Sequence, residues 1–234
     1  MKLGILQCDR TKELFVKEHG EYPQMYANLL LPADPQLELL VFDAQQAEFP
    51  KDIHAADAYL ITGSRYGVND GFPWITQLED FVRQLHQAKK KVIGICFGHQ
   101  LIAKALGGKV IKSPKGWGLG MSQNQIIRCQ EWMVPPLQEL NLLVSHQDQV
   151  AVLPKGAQLL ASSDFCPNYL MQIDTHMLSV QGHPEFTKAY VRDLIRSRED
   201  ILTDGEIDQG MHSLELSEDD VSFAQWLIHF INSP

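Results

Sequence analysis

The residue with the clearest chemical potential is a cysteine placed between two glycines, in the segment Gly94-x-Cys96-x-Gly98. This spacing equals that of the serine elbow Gly-x-Ser-x-Gly, in which a nucleophile occupies a tight turn between a strand and a helix. A helix that begins after Cys96 would direct its free N–H groups at the sulfur and favour the thiolate form. The pattern predicts a nucleophilic cysteine, and a small buried residue ending a core strand is the alternative.

A histidine and a glutamate two positions apart could serve this nucleophile. The sequence His183-Pro184-Glu185 follows the apolar run 177–180, so we expect it at the end of a strand. In an extended segment His183 and Glu185 point to the same side. Glu185 could then hold the imidazole in one tautomer while His183 exchanges a proton with Cys96 or with a leaving amine. The sequence therefore predicts a Cys96–His183–Glu185 triad.

The same chemistry requires backbone donors for an oxyanion. The residue after a nucleophile on an elbow commonly supplies one N–H group, which here is Phe97. The turn Thr62-Gly63-Ser64-Arg65 ends another apolar run and could supply a second donor from Gly63 or Ser64. On the sequence alone, an ordinary turn at a strand end is an equal alternative for this segment.

The hydrophobic pattern predicts the elements that must position these residues. Apolar runs without alternation are typical of strands covered on both faces, and they occur at 3–6, 37–42, 58–61 and 92–95. Helical spacing lies between them, at 22–31, 74–85 and 101–106. This order predicts an α/β fold with a mostly parallel central sheet and helices on both faces. Short β-rich segments between 109 and 181 predict added or antiparallel strands on one side of the sheet.

The composition limits which domain organisation and which classes of partner the chain can have. Its 234 residues, 44% of them apolar, predict a single domain over 1–234, with a core to about residue 200. The acidic stretch 199–220, which Gly205 and Gly210 interrupt, is predicted to be an exposed linker before a C-terminal helix that ends near residue 234. A net charge of −9 disfavours nucleic-acid and anionic-membrane partners. No apolar run approaches the ~20 residues of a membrane span. Four scattered cysteines favour a reducing cytoplasm.

Neither a cofactor nor a metal is expected. Cys96, His99 and His183 could be drawn as a metal site, but no fourth ligand is evident in the sequence. Trp117 lies among glycines, which predicts either a loop that covers a pocket or a plain surface turn.

The two motifs together resemble those of the class I glutamine amidotransferases. The resemblance is carried by Gly94-Ile-Cys-Phe-Gly-His-Gln100 and Gly182-His-Pro-Glu185, and it extends from Lys2 to about residue 200. It implies a flavodoxin-like fold with a small added antiparallel sheet. It also implies that Cys96 attacks the side-chain amide of glutamine to form a γ-glutamyl thioester, with His183 as base and acid and Glu185 as orienting residue.

The resemblance extends to residues that would hold the substrate. Gln100 resembles the residue that helps to hold bound glutamine, and Ser145-His146-Gln147-Asp148 resembles a loop whose backbone lines that pocket. One departure concerns the oxyanion turn, because many members carry a proline where this chain has Arg65. The register of the motif favours Ser64 as the second donor, with Gly63 as the alternative.

Three functions stay open, and the first two act on a small-molecule substrate. The chain lacks a Gly-x-x-x-x-Gly-Lys-Ser/Thr loop, so it would be a glutaminase that serves an ammonia-accepting synthase partner, or a free-standing hydrolase. Segments 89–100 and 146–164 also resemble the γ-glutamyl peptidases, which cleave glutathione-like compounds through the same thioester. The third possibility is a binding or regulatory module without catalysis.

Overall fold

The computed structural model describes residues 1–234 and contains eleven strands and seven α-helices. The strands are β1 Lys2–Gln7, β2 Glu38–Asp43, β3 Ala58–Ile61, β4 Lys91–Ile95, β5 Lys109–Lys112, β6 Gly118–Ile126, β7 Glu139–His146, β8 Asp148–Val152, β9 Ala157–Ser162, β10 Leu170–Ile173 and β11 Met177–Val180. The helices are α1 Glu13–His19, α2 Tyr22–Leu30, α3 Pro73–Gln87, α4 Phe97–Ala105, α5 Lys188–Arg196, α6 Asp204–Ser213 and α7 Asp220–Asn232.

Nine strands form one sheet in the order β2-β1-β3-β4-β11-β10-β9-β6-β7. The first five strands of this order are mutually parallel, and the remaining pairings are antiparallel. β5 and β8 form a separate two-stranded antiparallel sheet. The predicted α/β fold, with its mostly parallel centre and small antiparallel addition, is confirmed.

Two hydrophobic clusters occupy the two faces of the sheet. Ile93 and Ile95 of β4 belong to the larger cluster, which also holds side chains of α2, α5 and α7. Val92 points to the smaller cluster, together with apolar side chains of α3 and α4. Because both faces of the central strands are covered, these strands are apolar throughout instead of alternating. No helix is long and apolar enough to cross a membrane.

The structure corrects the expected place of two strands. The sequence pattern puts β11 among the added strands, yet it pairs in parallel with β4 near the middle of the sheet. The same pattern predicts that β2 is covered on both faces, but β2 lies at the edge of the sheet, where Glu38 and Val41 are exposed. β8 and β10 have no counterpart among the predicted strands. β8 begins within a polar segment that resembles a loop, and the polar Gln172 interrupts the apolar pattern of β10.

The acidic stretch 199–220 is not an exposed linker, because α6 forms within it. Thr203 and Glu206 make reciprocal hydrogen bonds that cap the start of this helix. Gly210 is buried against Leu119 of β6. The absence of a side chain at Gly210 lets α6 approach the sheet, so a glycine that indicated flexibility in the sequence is a packing residue.

Candidate active site

Cys96 occupies a strained turn between β4 and α4. Its φ of 49° and ψ of −96° lie outside the usual regions for a residue with a side chain. The flanking glycines make the turn possible: a Cβ at Gly94 would lie 2.7 Å from the carbonyl of Gly98, and a Cβ at Gly98 would run into the carbonyl oxygen of Ile61. The Cys96 amide donates to Val180 O at 2.8 Å, which anchors the turn to β11. Local strain of this kind is typical of functional positions.

The imidazole of His183 lies just beyond the end of β11, and its orientation is determined from three sides. The amide of His183 donates to Leu143 O at 2.7 Å. The ring stacks on Phe186 with centroids 3.9 Å apart and an interplanar angle of 6°. Nδ1 lies 2.7 Å from Glu185 Oε1, and both side chains are buried. Since Nδ1 is engaged by Glu185, Nε2 is the nitrogen that can interact with the Cys96 thiol.

The electrostatics of this group favour a protonated imidazole. Burial alone would lower the pKa of His183, but the negative charge of Glu185 and that of Cys96 as a thiolate outweigh burial and raise the pKa to about 10. The two negative charges therefore favour a protonated imidazole at His183. A positive imidazolium and a helix N-terminus are both groups that attract a negative charge.

Three backbone N–H groups of the site have no acceptor within the protein. Phe97 is the first residue of α4, so its amide has no intrahelical acceptor. The amides of Gly63 and Ser64, which follow β3, donate to no protein acceptor. A Cβ at Gly63 would lie 2.5 Å from Cε1 of His183, so this turn approaches the imidazole closely. Both Gly63 and Ser64 therefore stay candidates for the second oxyanion donor, beside Phe97.

A cleft of about 460 Å³ opens in front of Cys96. It is lined by the three residues that the resemblance assigned to the substrate: Gln100, Ser145 and His146. Gln100 Nε2 donates to Asp148 O at 2.8 Å and lies 3.3 Å from Gln181 Oε1. The other walls carry charge, from Arg65, Asp70, Lys112, Asp148 and Arg198.

His146 and His99 are neutral groups of the scaffold. Burial lowers the pKa of His146 to about 3, and its Nδ1 lies 3.1 Å from Asp148 O. Burial also lowers the pKa of His99 to about 4, and its two ring nitrogens contact Ser179 Oγ and Asn168 O, each at 2.9 Å. Because both nitrogens of His99 are engaged there, His99 does not join Cys96 and His183 in a common ligand set.

Two residues of the site have no role in the sequence prediction. Gln181 Nε2 lies 3.5 Å from Cys96 Sγ, and a glutamine before the His183 motif carried no chemical signal. Arg198 donates to Ser145 Oγ, and its guanidinium lies 5.1 Å from the centroid of the Trp117 ring. Arg198 lies in a run of charged residues that is indistinguishable in sequence from a solvated surface.

The acidic segment reaches the rim of the cleft through Trp117. The Trp117 amide donates to Glu206 Oε1 at 3.1 Å, so the cap of α6 also holds the cleft-lining loop. Trp117 therefore lines the cleft and is more than a plain surface turn, while the covering of the pocket by its loop stays a prediction.

Comparisons with known proteins agree on one family. The model of the class-I glutamine amidotransferases matches residues 21–193. γ-Glutamyl peptidase 4 of Arabidopsis thaliana is 33% identical over 227 residues, which cover 91% of this chain and 88% of that protein. A glutamine-hydrolyzing GMP synthase subunit of Archaeoglobus fulgidus is 40% identical over 95 residues, 40% of this chain and 51% of that protein. The crystal structure of a glutamine amido transferase from Methylobacillus flagellatus superimposes with a TM-score of 0.73 at 20% identity, covering 99% of this chain and 92% of that chain. The chain belongs to the class I glutamine amidotransferase family.

Replacement of Glu185 by glutamine tests the electrostatics of the pair. Glu185→Gln preserves the size of the side chain but removes the charge that holds a proton on the imidazole. The pKa of His183 should fall by roughly one to three units, the usual effect of an opposite charge within ~4–6 Å. Titration of the His183 Cε1–H resonance by NMR measures this, with the exposed Glu199→Gln as the control. An unchanged pKa would contradict the proposed electrostatic role of Glu185.

Proposed function

We propose that this protein hydrolyses the γ-carbonyl bond of glutamine or of another γ-glutamyl compound through a thioester on Cys96. The observation that carries the proposal is the meeting of the Cys96 elbow with the buried His183–Glu185 pair at the base of one cleft. Membership of the class I glutamine amidotransferase family supports the same general type of reaction. A reducing compartment such as the cytoplasm would suit a free thiol nucleophile.

In the first half of the proposed reaction, the Cys96 thiolate attacks the γ-carbonyl carbon. The oxyanion accepts hydrogen bonds from the Phe97 amide and from the amide of Gly63 or Ser64. The C–N bond then breaks, and the His183 imidazolium donates its Nε2 proton to the departing ammonia or amine. A γ-glutamyl thioester and a neutral imidazole result.

In the second half, water replaces the amine. Neutral His183 takes a proton from water as the oxygen attacks the thioester carbon, and the same backbone donors hold the second oxyanion. The C–S bond breaks, glutamate leaves, and the thiolate–imidazolium pair returns. Throughout both steps Glu185 keeps the proton on Nδ1, so that Nε2 faces the reacting atoms.

Charge in the cleft suits the γ-glutamyl end of such a substrate. Asp70 and Asp148 both line the cleft, and the Asp148 carbonyl accepts the hydrogen bond from Gln100 Nε2. Burial and the neighbouring charge of Asp70 raise the pKa of Asp148. An ammonium group bound between the two carboxylates would relieve their mutual repulsion. We therefore place the α-ammonium of the γ-glutamyl group on this side.

Reaction with 6-diazo-5-oxo-norleucine, an electrophilic mimic of glutamine, tests the nucleophile. We expect a single covalent adduct on Cys96, because this thiol alone combines a base with backbone donors. Intact-mass spectrometry and peptide mapping locate the adduct. Cys96→Ala should abolish labelling, whereas Cys129→Ala, which removes an exposed thiol, should leave it unchanged. An adduct that persists in Cys96→Ala would contradict the assignment.

The leaving group separates two candidate functions. Release of ammonia to a synthase partner is supported by the resemblance of part of the chain to a component of a GMP synthase. Release of an amine is supported by the Arabidopsis relative, which is named a γ-glutamyl peptidase. A volume of about 460 Å³ lies within the ~300–1,000 Å³ typical of pockets for small-molecule ligands, so the cleft has room for such a substrate. We favour an amine-bearing leaving group.

A kinetic comparison of purified protein on glutamine and on γ-glutamyl dipeptides tests this preference. The values of kcat/KM for the dipeptides should exceed the value for glutamine, because only the dipeptides use the leaving-group side of the cleft. Faster hydrolysis of glutamine would favour the ammonia-producing function. Absence of turnover with every substrate, together with absence of labelling at Cys96, would favour a binding module.

A further inference from the structure

Two cations beside His183 form no ion pair. Arg198 has a hydroxyl and an indole ring as its polar and aromatic contacts, Ser145 Oγ and Trp117. Lys12 Nζ donates to Ser197 Oγ at 3.0 Å, and neither cation is within ion-pair distance of a carboxylate. In a chain with a net charge of −9, such unpaired cations in a cleft call for an explanation.

The other cations near the cleft are already balanced. Arg65 is paired with Asp9 at 2.9 Å, and Arg10 is paired with a carboxylate of its own outside the cleft. Lys112 lies near the carboxylate of Asp148, and its charge offsets part of the rise in the pKa of Asp148 that burial and Asp70 cause. Arg198 is thus the cleft cation that no neighbouring carboxylate balances, whereas Lys12 is acted on by the charge of Asp200 without forming an ion pair with it.

The environment of these two cations disfavours their charge. Burial is the main cause that lowers the pKa of Arg198, which is half-buried. Burial, followed by the charges of Arg198 and Arg65, lowers the pKa of Lys12. A half-buried pair of cations that repel each other is stabilised when an anion binds between them, and a carboxylate matches the planar guanidinium in two hydrogen bonds.

The location of the pair relates it to the leaving group. A crevice of about 40 Å³ is lined by Arg198, Lys12 and His183. It meets the main cleft at Ser64, Ser145 and Arg198, which line both. Because His183 must donate a proton to the departing nitrogen, the group attached to that nitrogen lies on this side. The part of the main cleft with Asp70 and Asp148, which do not line the crevice, would take the γ-glutamyl ammonium.

We propose that Arg198, assisted by Lys12, binds a carboxylate of the leaving group, and this inference rests on the proposed hydrolysis at Cys96. The preferred substrates are then γ-glutamyl amino acids or short γ-glutamyl peptides with a free carboxyl end close to the scissile bond. Glutamine, whose leaving group is ammonia, makes no contact with this subsite.

A pair of substrates that differ only in this carboxylate tests the inference without any change to the protein. γ-Glutamylglycine carries the carboxylate, and γ-glutamylglycinamide replaces it with a neutral amide. Wild-type protein should favour the acid by about 10- to 100-fold in kcat/KM, the range expected for hydrogen bonds to a charged group. Equal rates for the acid and the amide would overturn the inference while leaving hydrolysis at Cys96 intact.

Substitution of Arg198 identifies the residue responsible. Arg198→Gln should remove most of the preference for the acid over the amide, mainly through a higher KM for the acid. Arg198→Lys, which keeps the charge, should retain part of the preference. Arg196→Gln removes an exposed arginine two positions earlier and should leave the preference unchanged.

Two further outcomes would contradict this assignment. If Arg198→Gln lowers kcat/KM equally for the acid, the amide and glutamine, Arg198 serves the γ-glutamyl group itself or the structure of the site. If wild-type protein hydrolyses none of the three and 6-diazo-5-oxo-norleucine does not label Cys96, the proposed function fails and this inference falls with it.

Discussion

The parallel pairing of β4 with β11 is the constraint on which the rest of the site depends. Ile95 and Val180, the last residues of these strands, lie opposite each other in register. Both strands therefore end at the same edge of the sheet, and the hydrogen bond from the Cys96 amide to Val180 O connects the two strand ends. Residues more than eighty positions apart in sequence reach one another in this way, at the edge where parallel sheets generally assemble their sites.

The residues around the site offset part of the free-energy penalty of its buried charges. The His183–Glu185 pair is buried, and burial of an ion pair is costly unless its geometry and hydrogen bonds compensate. Here the close contact with Oε1 and the stacking on Phe186 compensate in part. The hydroxyl of Tyr26 and the Oε2 atom of Glu185 are both buried without a partner of ideal geometry, and burial followed by the charge of Glu185 raises the pKa of Tyr26. The site thus holds charged groups in an energetically unfavourable, buried position close to the reacting atoms, as functional sites often do.

Sequence predicts the part of the site that depends on local backbone geometry. Such geometry depends on a few neighbouring residues, so it leaves a short pattern in the sequence. The glycines around Cys96 and the spacing of His183 and Glu185 are patterns of this kind, and the apolar central strands are predicted equally well. Arg198 and Trp117 meet only because α5, α6 and β6 pack together, and no local pattern signals such a contact. Gly210 shows the reverse problem: a glycine that suggests flexibility is needed for close packing of a helix on a strand.

The most direct test of the central claim is detection of the acyl intermediate. Protein that is turning over γ-glutamylglycine should, after rapid quenching in acid, carry one γ-glutamyl group on Cys96, measured by intact mass and located by peptide mapping. The adduct should disappear on treatment with hydroxylamine, as a thioester does. Turnover with no adduct in wild-type protein, or with undiminished rate in Cys96→Ala, would contradict the account.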